Sequence, residues 1–372
     1  MFLPHLPWLS FLAFFAATFL LAVIFVPLVK KVAVKVGAID YPTKIKIHKK
    51  PMPRLGGIAV FLAFLLVVLF DLIFGHRILG GVIDLKHIIG LLIGGLIIVG
   101  VGVWDDIYGL RPGQKFLGQV IAALVVIFSG IGIGFIASPL GTNISLDSLR
   151  ITVHFSESIF QIVVLADLFA LIWILGMVNT ANFLDGLDGL VGGIGLIASL
   201  VLFLLSLRPQ VNQLGVAYLS AAFAGALLGF LIFNFHPAKI FAGDSGSMLI
   251  GFVIGVLSII NGAKIATALL IMGFPILDVL WAIFRRLRRG HSPFRGDKKH
   301  FHHRLLELGL SQTKAVLIIY GLGIIFGLAA FLLQGSREKL IALVILGTLM
   351  LLITFGIVKL VGLRRRLVRK HQ

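Results

Sequence analysis

The 372-residue chain contains no cysteine. Disulfides, thiolate metal sites and a cysteine nucleophile are thereby excluded. Acidic residues are scarce as well: 15 Asp and Glu stand against 33 Lys and Arg, a formal net charge of +18. Charged residues of both signs make up 13% of the chain, about half the ~25% of an ordinary soluble domain. With 59% hydrophobic residues and a mean hydropathy of +1.09, too few polar side chains remain to cover a soluble surface. The composition defines a polytopic membrane protein. The excess of positive charge would suggest nucleic acid in a soluble chain; here its distribution gives it another meaning, and no nucleic-acid partner is expected. The opening MFLPHLPWLSFLAFF lacks a basic n-region and an A-x-A-like cleavage site, so it reads as a first span.

Apolar stretches near the ~20 residues needed to cross a bilayer occur at 7–28, 55–74, 87–103, 116–136, 158–178, 189–206, 214–233, 245–260, 266–284, 315–333 and 340–362. The expected fold is therefore all-α, with about eleven transmembrane helices. Alternate gaps (29–54, 104–115, 179–188, 234–244, 285–314 and the tail 363–372) carry 25 of the 33 Lys and Arg; the opposite gaps carry 7, and Lys359 lies in the last span. Positive-inside bias puts the first set and the C-terminus in the cytoplasm and the N-terminus outside. No internal repeat stands out and no gap is long enough for a soluble domain. Residues 1–372 are expected to form a single transmembrane domain, with the five cytoplasmic loops building its site.

Five of the fifteen acids cluster in three glycine-flanked segments at the edges of spans, all on that cytoplasmic side. A carboxylate beside hydrocarbon is costly and marks a pathway, a metal or a reacting group. In WDDIYGLRPGQK, the adjacent Asp105 and Asp106 repel each other unless a cation or a shared proton intervenes. Mg²⁺, which binds one or two carboxylates together with substrate phosphates, suits that need, and Lys115 would then face phosphate. A helix-end charge pair with a snorkelling lysine is the plainer alternative. In NTANFLDGLDGL, Asn179, Asn182, Asp185 and Asp188 recur at every third residue, a spacing that drifts around a helix. Gly186 and Gly189 suggest that the helix loosens there, offering side chains and backbone N–H groups to a nucleotide or a metal; a loop of Asx turns is the alternative. In FAGDSGSM, Asp244 sits where an N-cap would sit, and the helix start beside it favours a phosphate.

The basic gaps are less specific. Arg285, Arg286, Arg288 and Arg289 read as an anchor to anionic lipid. His300, His302, His303 and Arg304 admit zinc, but no carboxylate accompanies them, and imidazole with guanidinium suits an anion or a sugar better. In KIKIHKKPMPRLGG, Lys44, Lys46, Lys49 and Lys50 fit a topogenic role or attraction of an anionic head group, whereas Arg54, wedged between Pro53 and the next span, is set apart as a site residue. Asp167 and Asp278 lie inside expected spans; a packed polar contact is the default for Asp278, and neither is assigned a role.

Together these parts suit metal-assisted phosphoryl chemistry, where catalysis is mostly positioning and charge stabilisation. The motifs HKKPMPRLGG, DDIYGLRPGQK, NTANFLDGLDGL, FNFHPAKIFAGDSGS and HFHHRLLELG resemble, in the same order, the polyprenyl-phosphate N-acetylhexosamine-1-phosphate transferases of glycosyltransferase family 4. The resemblance runs from about residue 40 to 310, and through the spans over nearly the whole chain. It implies transfer of a sugar-1-phosphate from a UDP-sugar to undecaprenyl phosphate with release of UMP, in a bacterial cytoplasmic membrane, with Mg²⁺ or in its place Mn²⁺. By position, Asp244 and Asn182 resemble the metal pair, with Asp105 and Asp106 close by. Asp188, with Asp185 and Asn179, resembles the nucleotide site, and Lys115 the pyrophosphate lysine. His300, His302, His303 and Arg304 resemble the sugar-reading loop, and Arg54, His48 and Lys115 would meet the lipid phosphate. Asp105, Asp106, Asp185 and Asp188 are the candidate catalytic acids; Asp105 is the preferred group to deprotonate or orient that phosphate, while an older view of the family makes an aspartate a covalent nucleophile. PMPRLGG and the HxHH loop resemble the branch using UDP-GlcNAc, whose product feeds teichoic acid, O-antigen or another envelope glycan. The alternatives are the phospho-MurNAc-pentapeptide transferase of peptidoglycan synthesis and, in a different class, an ion or proton transporter. The resemblance leaves a homodimer open.

Overall fold

The computed structural model describes residues 7–42, 48–137, 143–146, 148–155, 158–261, 265–288, 290 and 300–370. Lys44, Lys46, Arg289 and the 291–299 stretch lie outside the described residues. Among the described residues, eight helices are long and apolar enough to cross a membrane: α1 (Pro7–Lys35), α2 (Gly56–Phe70, prolonged by a π-turn to Gly75), α3 (Leu85–Tyr108), α5 (Val164–Leu184), α7 (Leu214–Asn234), α8 (Gly243–Ile260), α12 (Gln312–Leu332) and α13 (Ser336–Lys370). Two shorter apolar helices, α4 (Pro112–Phe128) and α6 (Leu190–Ser206), lie between them. The protein is a predominantly helical, multi-pass membrane protein.

Three of the expected spans take a different form. The ninth is broken at Met272 into α9 (Ile265–Ile271) and α10 (Gly273–Leu287). Pro275 falls in the first turn of α10, where its missing N–H costs nothing. The fourth ends at Phe128 instead of continuing to 136, and the chain enters a short hairpin of β3 (Phe135–Ala137) and β4 (Asn143–Ser145). The fifth begins as a strand: β5 (Arg150–Phe155) and β6 (Ser158–Val163) pair antiparallel before α5 starts. Those residues are apolar enough to pass for membrane, but they are rich in β-branched and aromatic types that favour strands. A third small pairing, β1 (Ile39–Asp40) with β2 (Met52–Pro53), ties down the loop before α2.

Helix α8 forms the centre of the bundle. In its apolar stretch 83% of the residues are buried, against 22% in the peripheral α13. A helix apolar on every side can be this enclosed only by other helices. Because lipid tails are as apolar as leucine, close packing of small residues has to hold such helices together. At Gly57 of α2 an added methyl would overlap the Gly246 backbone; at Gly102 of α3 it would overlap the Ser245 backbone. Both contacts lie on the first turns of α8. They draw the N-terminus of α2, the C-terminus of α3 and the N-terminus of α8 to one point. The alternating direction of the helices brings the C-termini of α5 and α7 and the N-termini of α4 and α6 to the same end.

Gly102→Ala should therefore destabilise the protein. Overpacking costs about 1–3 kcal/mol, and here the clash is with backbone. Gly100, on the same helix with nothing within 4 Å of an added Cβ, is the control. Melting of the purified protein in detergent should fall by several degrees for Gly102→Ala and not for Gly100→Ala; equal melting of the two would contradict the α3–α8 contact.

Candidate active site

Asp106, on the last full turn of α3, is buried with its carboxylate turned onto α8. Its Oδ1 accepts from the Asp244 backbone N–H (2.9 Å); its Oδ2 accepts from the Ser245 N–H (3.1 Å) and the Ser245 hydroxyl (2.9 Å). A carboxylate from a neighbouring helix thus caps α8, satisfying free N–H groups at the positive end of its dipole. Two sequence expectations change. Asp244 is not the N-cap, because α8 begins at Gly243, and the N–H groups of residues 244 and 245 are taken by Asp106 and not free for a phosphate. Asp106, expected among the metal and catalytic acids, has both oxygens committed to this cap.

The cap aims Asp244 at a cluster of oxygens. The Lys115 ammonium, at the start of α4, pairs with Asp244 Oδ2 and lies 3.1 Å from Asp105 Oδ2 and 3.5 Å from Asn182 Oδ1. Asn182, near the end of α5, donates to Asp244 Oδ1 (2.7 Å) and Ser247 Oγ (2.9 Å). Asp105 Oδ1 accepts from the Leu110 N–H (2.6 Å), which holds the α3–α4 turn against the same cluster. Two carboxylates and an amide oxygen, with no nitrogen or sulfur ligand, converge on a positive charge; that donor set suits a hard cation such as Mg²⁺. No group of three His, Asp or Glu that could hold a metal occurs among the described residues; the third oxygen of this cluster is the Asn182 amide oxygen.

Two cavities meet at Asn182. The first, the polar cavity of about 330 Å³, is lined mainly by charged and polar residues, with Asp185, Asp188, Arg54, His303 and Gln312 among them beside Phe241. The second, about 1050 Å³, is mainly apolar. Lys115 and Asp105 stand at its polar end, and Phe169, Ile172, Trp173, Ile276 and Leu280 form much of the rest. Lys115 and Asp105 face only the apolar cavity, Asp185 and Asp188 only the polar one, and Asn182 faces both.

In the polar cavity, α5 ends at Leu184 and α6 begins at Leu190, preceded by Gly189 in the left-handed conformation (φ 79°), so the helix does open at the DGLDG segment. Asp185 follows that end. Burial, then the negative charges of Asp244 and Asp106, push its carboxyl up to about 8. Asp188 Oδ2 accepts from His236 Nδ1 (2.8 Å) and the Ala238 N–H (3.1 Å).

Several expected members sit elsewhere. Asn179 donates to Gln119 Oε1 (2.9 Å) and to the Leu175 carbonyl (2.8 Å) and faces the apolar cavity, not Asp185 and Asp188. Arg54 and His48, expected at the lipid phosphate, line the polar cavity. Arg54 is held by Asp40 Oδ1 (2.7 Å) and lies 3.8 Å from Asp106 Oδ1. Of the histidine-loop residues, only His303 lines the polar cavity. His300 pairs with Asp278 (2.9 Å), whose other oxygen accepts from the Phe301 N–H (3.0 Å). His302 is buried against Gly186, and burial and its neighbours His303 and His300 hold its ring well below the usual histidine pKa. Arg304 bonds Glu307 (2.8 Å) on the next turn of α11 (Phe301–Glu307). Asp278 is thus the packed polar contact expected of it, and it anchors the histidine loop.

Sequence reasoning missed Asp40, Gln119, Asn234, Phe241 and Gln312. Asn234 and Phe241 lie in the FNFHPAKIFAGDSGS motif, and Asp40 is one of only fifteen acids; those were the available signals. Gln119 and Gln312, neutral residues within helices, gave none.

These features define a multi-pass membrane protein whose carboxylate and amide cluster lies between a polar and an apolar cavity. Residues 88–262 match the family described as glycosyl transferase family 4. A probable undecaprenyl-phosphate N-acetylglucosaminyl 1-phosphate transferase of Bacillus subtilis is 32% identical over 328 residues, 87% of this chain and 84% of its own. A decaprenyl-phosphate N-acetylglucosaminephosphotransferase of Mycobacterium tuberculosis is 37% identical over 368 residues, 91% of this chain and 85% of its own. A phospho-N-acetylmuramoyl-pentapeptide-transferase of Halalkalibacterium halodurans is 28% identical over 345 residues, 88% of this chain and 97% of its own. The chain belongs to glycosyl transferase family 4.

The raised Asp185 pKa carries a pH prediction. Below about 8 the free site holds a proton on Asp185; a divalent cation beside Asp244 would offset the repulsion, lower that pKa and release the proton. Cation affinity should then rise between pH 6.5 and 8.5, by up to about tenfold per unit for one coupled proton, and Asp185→Asn should flatten the rise. Titration calorimetry with Mg²⁺ in buffers of different ionisation heat measures both quantities, and a pH-independent affinity in the wild type would contradict the coupling.

Proposed function

We propose that the protein transfers GlcNAc-1-phosphate from UDP-GlcNAc to undecaprenyl phosphate, giving undecaprenyl-pyrophosphoryl-GlcNAc and UMP. The observation that carries this reading is the meeting of the polar and apolar cavities at Asn182, with Lys115, Asp105 and Asp244 beside the junction. A polar cavity suits a nucleotide-sugar and a large apolar one suits a polyprenyl chain, so the reacting phosphates would meet between them. The names of the two more similar relatives support the same donor sugar and lipid class.

In this reaction an oxygen of the lipid phosphate attacks the sugar-bearing phosphorus of UDP-GlcNAc. The bridging oxygen leaves with UMP. Asp105, held by the Leu110 N–H, would orient the attacking phosphate or take its proton. Lys115 would neutralise charge on the pyrophosphate. Asp244 and Asn182 would hold Mg²⁺, which supplies charge stabilisation at the phosphates when bound. Asp188 and Asp185 would face the nucleotide, Arg54 the donor phosphates, and His303 the sugar. Asp106 serves by capping α8. The phospho-MurNAc-pentapeptide reading is less well supported, since its relative is the less similar one and PMPRLGG and HxHH depart from that branch. A transporter is disfavoured because the acids sit at helix ends and not at mid-span.

The same reading extends to the membrane. Eleven crossings are proposed, counting α4, α6 and the broken α9–α10 pair, within one domain in a bacterial cytoplasmic membrane. The site would face the cytoplasm, and the product would begin a lipid-linked envelope glycan. The absence of cysteine makes the topology easy to test. An impermeant maleimide should label Val82→Cys in intact cells and Tyr41→Cys only after lysis; the reverse pattern would invert the orientation.

Purified protein with Mg²⁺, undecaprenyl phosphate and UDP-GlcNAc should release UMP, more slowly with UDP-GalNAc or UDP-MurNAc-pentapeptide in its place. Asp244→Ala should lower the rate at least about a hundredfold, as expected for loss of a charge-stabilising group. No UMP from any UDP-N-acetylhexosamine would sink the assignment.

A further inference from the structure

His236 lies in the segment between α7 and α8, a stretch pinned at several points. Asn234 Oδ1 accepts from the Gly189 N–H (3.1 Å), and its Nδ2 donates to the Ile240 carbonyl (2.9 Å). The Lys239 N–H bonds the Phe233 carbonyl (2.7 Å), and the Phe241 N–H bonds the Pro53 carbonyl (2.9 Å). With both ends held, the middle delivers two donors, His236 Nδ1 and the Ala238 N–H, to one oxygen of Asp188. An ionised carboxylate only accepts, so the imidazole carries its proton on Nδ1. The second oxygen, Oδ1, makes no hydrogen bond among the described residues, and Asp188 lines the polar cavity.

An exposed His–Asp pair alone would mean little, since such surface pairs contribute roughly 0–1 kcal/mol. This pair differs in its geometry. The Asp188 side chain is 15% exposed and the His236 side chain 42%, and Asp188 lines the polar cavity whereas His236 does not. The Ala238 N–H by itself would leave the carboxyl free to turn about its Cβ–Cγ bond; the second donor stops that rotation. We infer that His236 is a positioning residue for donor recognition. It fixes Asp188 so that Oδ1 meets a ring N–H of the nucleobase. A uracil-type base offers such an N–H at its imide, whereas cytosine presents a bare acceptor at the same ring position. The inference rests on the reading of the polar cavity as the nucleotide site.

The test separates base recognition from folding and from turnover. Binding of UMP and CMP is measured by calorimetry for the wild type, His236→Ala, His236→Asn and Asp188→Ala, alone and with His236→Ala. Kinetics with UDP-GlcNAc are measured in parallel. His236→Ala should weaken UMP binding and raise KM for UDP-GlcNAc about tenfold, the effect of one hydrogen bond to a charged group. It should change kcat and the KM for lipid less than about twofold, since neither depends on that bond. The preference for UMP over CMP should narrow. His236→Asn, whose side-chain N–H can replace Nδ1, should recover most of the affinity, and His236→Ala should add nothing in the Asp188→Ala background. Unchanged UMP affinity in His236→Ala, an equal loss for UMP and CMP, or a loss shared by kcat and the lipid KM would overturn the inference. If the wild type binds UMP but turns nothing over, the transferase reading falls while the binding series still decides the role of His236. Absence of UMP binding by the wild type would overturn both.

Discussion

The site depends on one buried carboxylate meeting the start of one buried helix. A helix that begins inside a membrane protein leaves its first N–H groups without partners, and hydrocarbon offers none. An aspartate in the same place must find donors or give up its charge. Asp106 and the first turn of α8 meet both needs at once. The bond requires α3 and α8 to touch backbone to backbone, which Gly102 permits, and the neighbouring Gly57 admits α2. Through that junction Asp244 reaches Lys115, Asp105 and Asn182, residues contributed by three other helix ends.

Around this junction the polar groups fall into layers with different duties. Asp106, Asp40, Asp278 and Asn234 face protein partners: a helix start, Arg54, the histidine loop and the start of α6. Asp105, Asp244, Lys115 and Asn182 form the cluster where the cavities meet, and Asp185 and Asp188 look into the polar cavity. The scarcity of acid is thus not a scarcity of function. Few carboxylates occur, and most of those near this membrane end either build the site or face it.

Much of the architecture was legible from residue order. Hydropathy located helices near each expected span, and the three acidic segments were expected on one face, where the helix ends do bring them together. Misreadings came where a local rule had two outcomes. The 158–163 stretch is apolar enough for a membrane and β-branched and aromatic enough for a strand, and pairing with 150–155 decided it. Asp244 beside a helix start looked like a cap, but the cap came from a residue 138 positions away. Asp105 and Asp106 are adjacent in the chain yet diverge in role, because successive helix residues point about 100° apart. One faces Lys115 and the other α8.

By itself, the sequence determined the membrane class, the approximate positions of the helices, the family resemblance and the short list of residues able to do phosphoryl chemistry. Those properties are local: they follow from runs of apolar residues, from charge bias between runs and from motifs read along the chain. Only the tertiary structure decided which member of each motif meets which partner. It turned Asp106 into a helix cap, sent Arg54 and His48 to the polar cavity and Asn179 to the apolar one, buried His302, and set His236 on Asp188. The physical reason is that hydrogen-bond partners in a bundle lie on different helices. Their meeting depends on helix rotation and closest approach, and those are set by packing across the whole membrane section and not by any stretch of the chain.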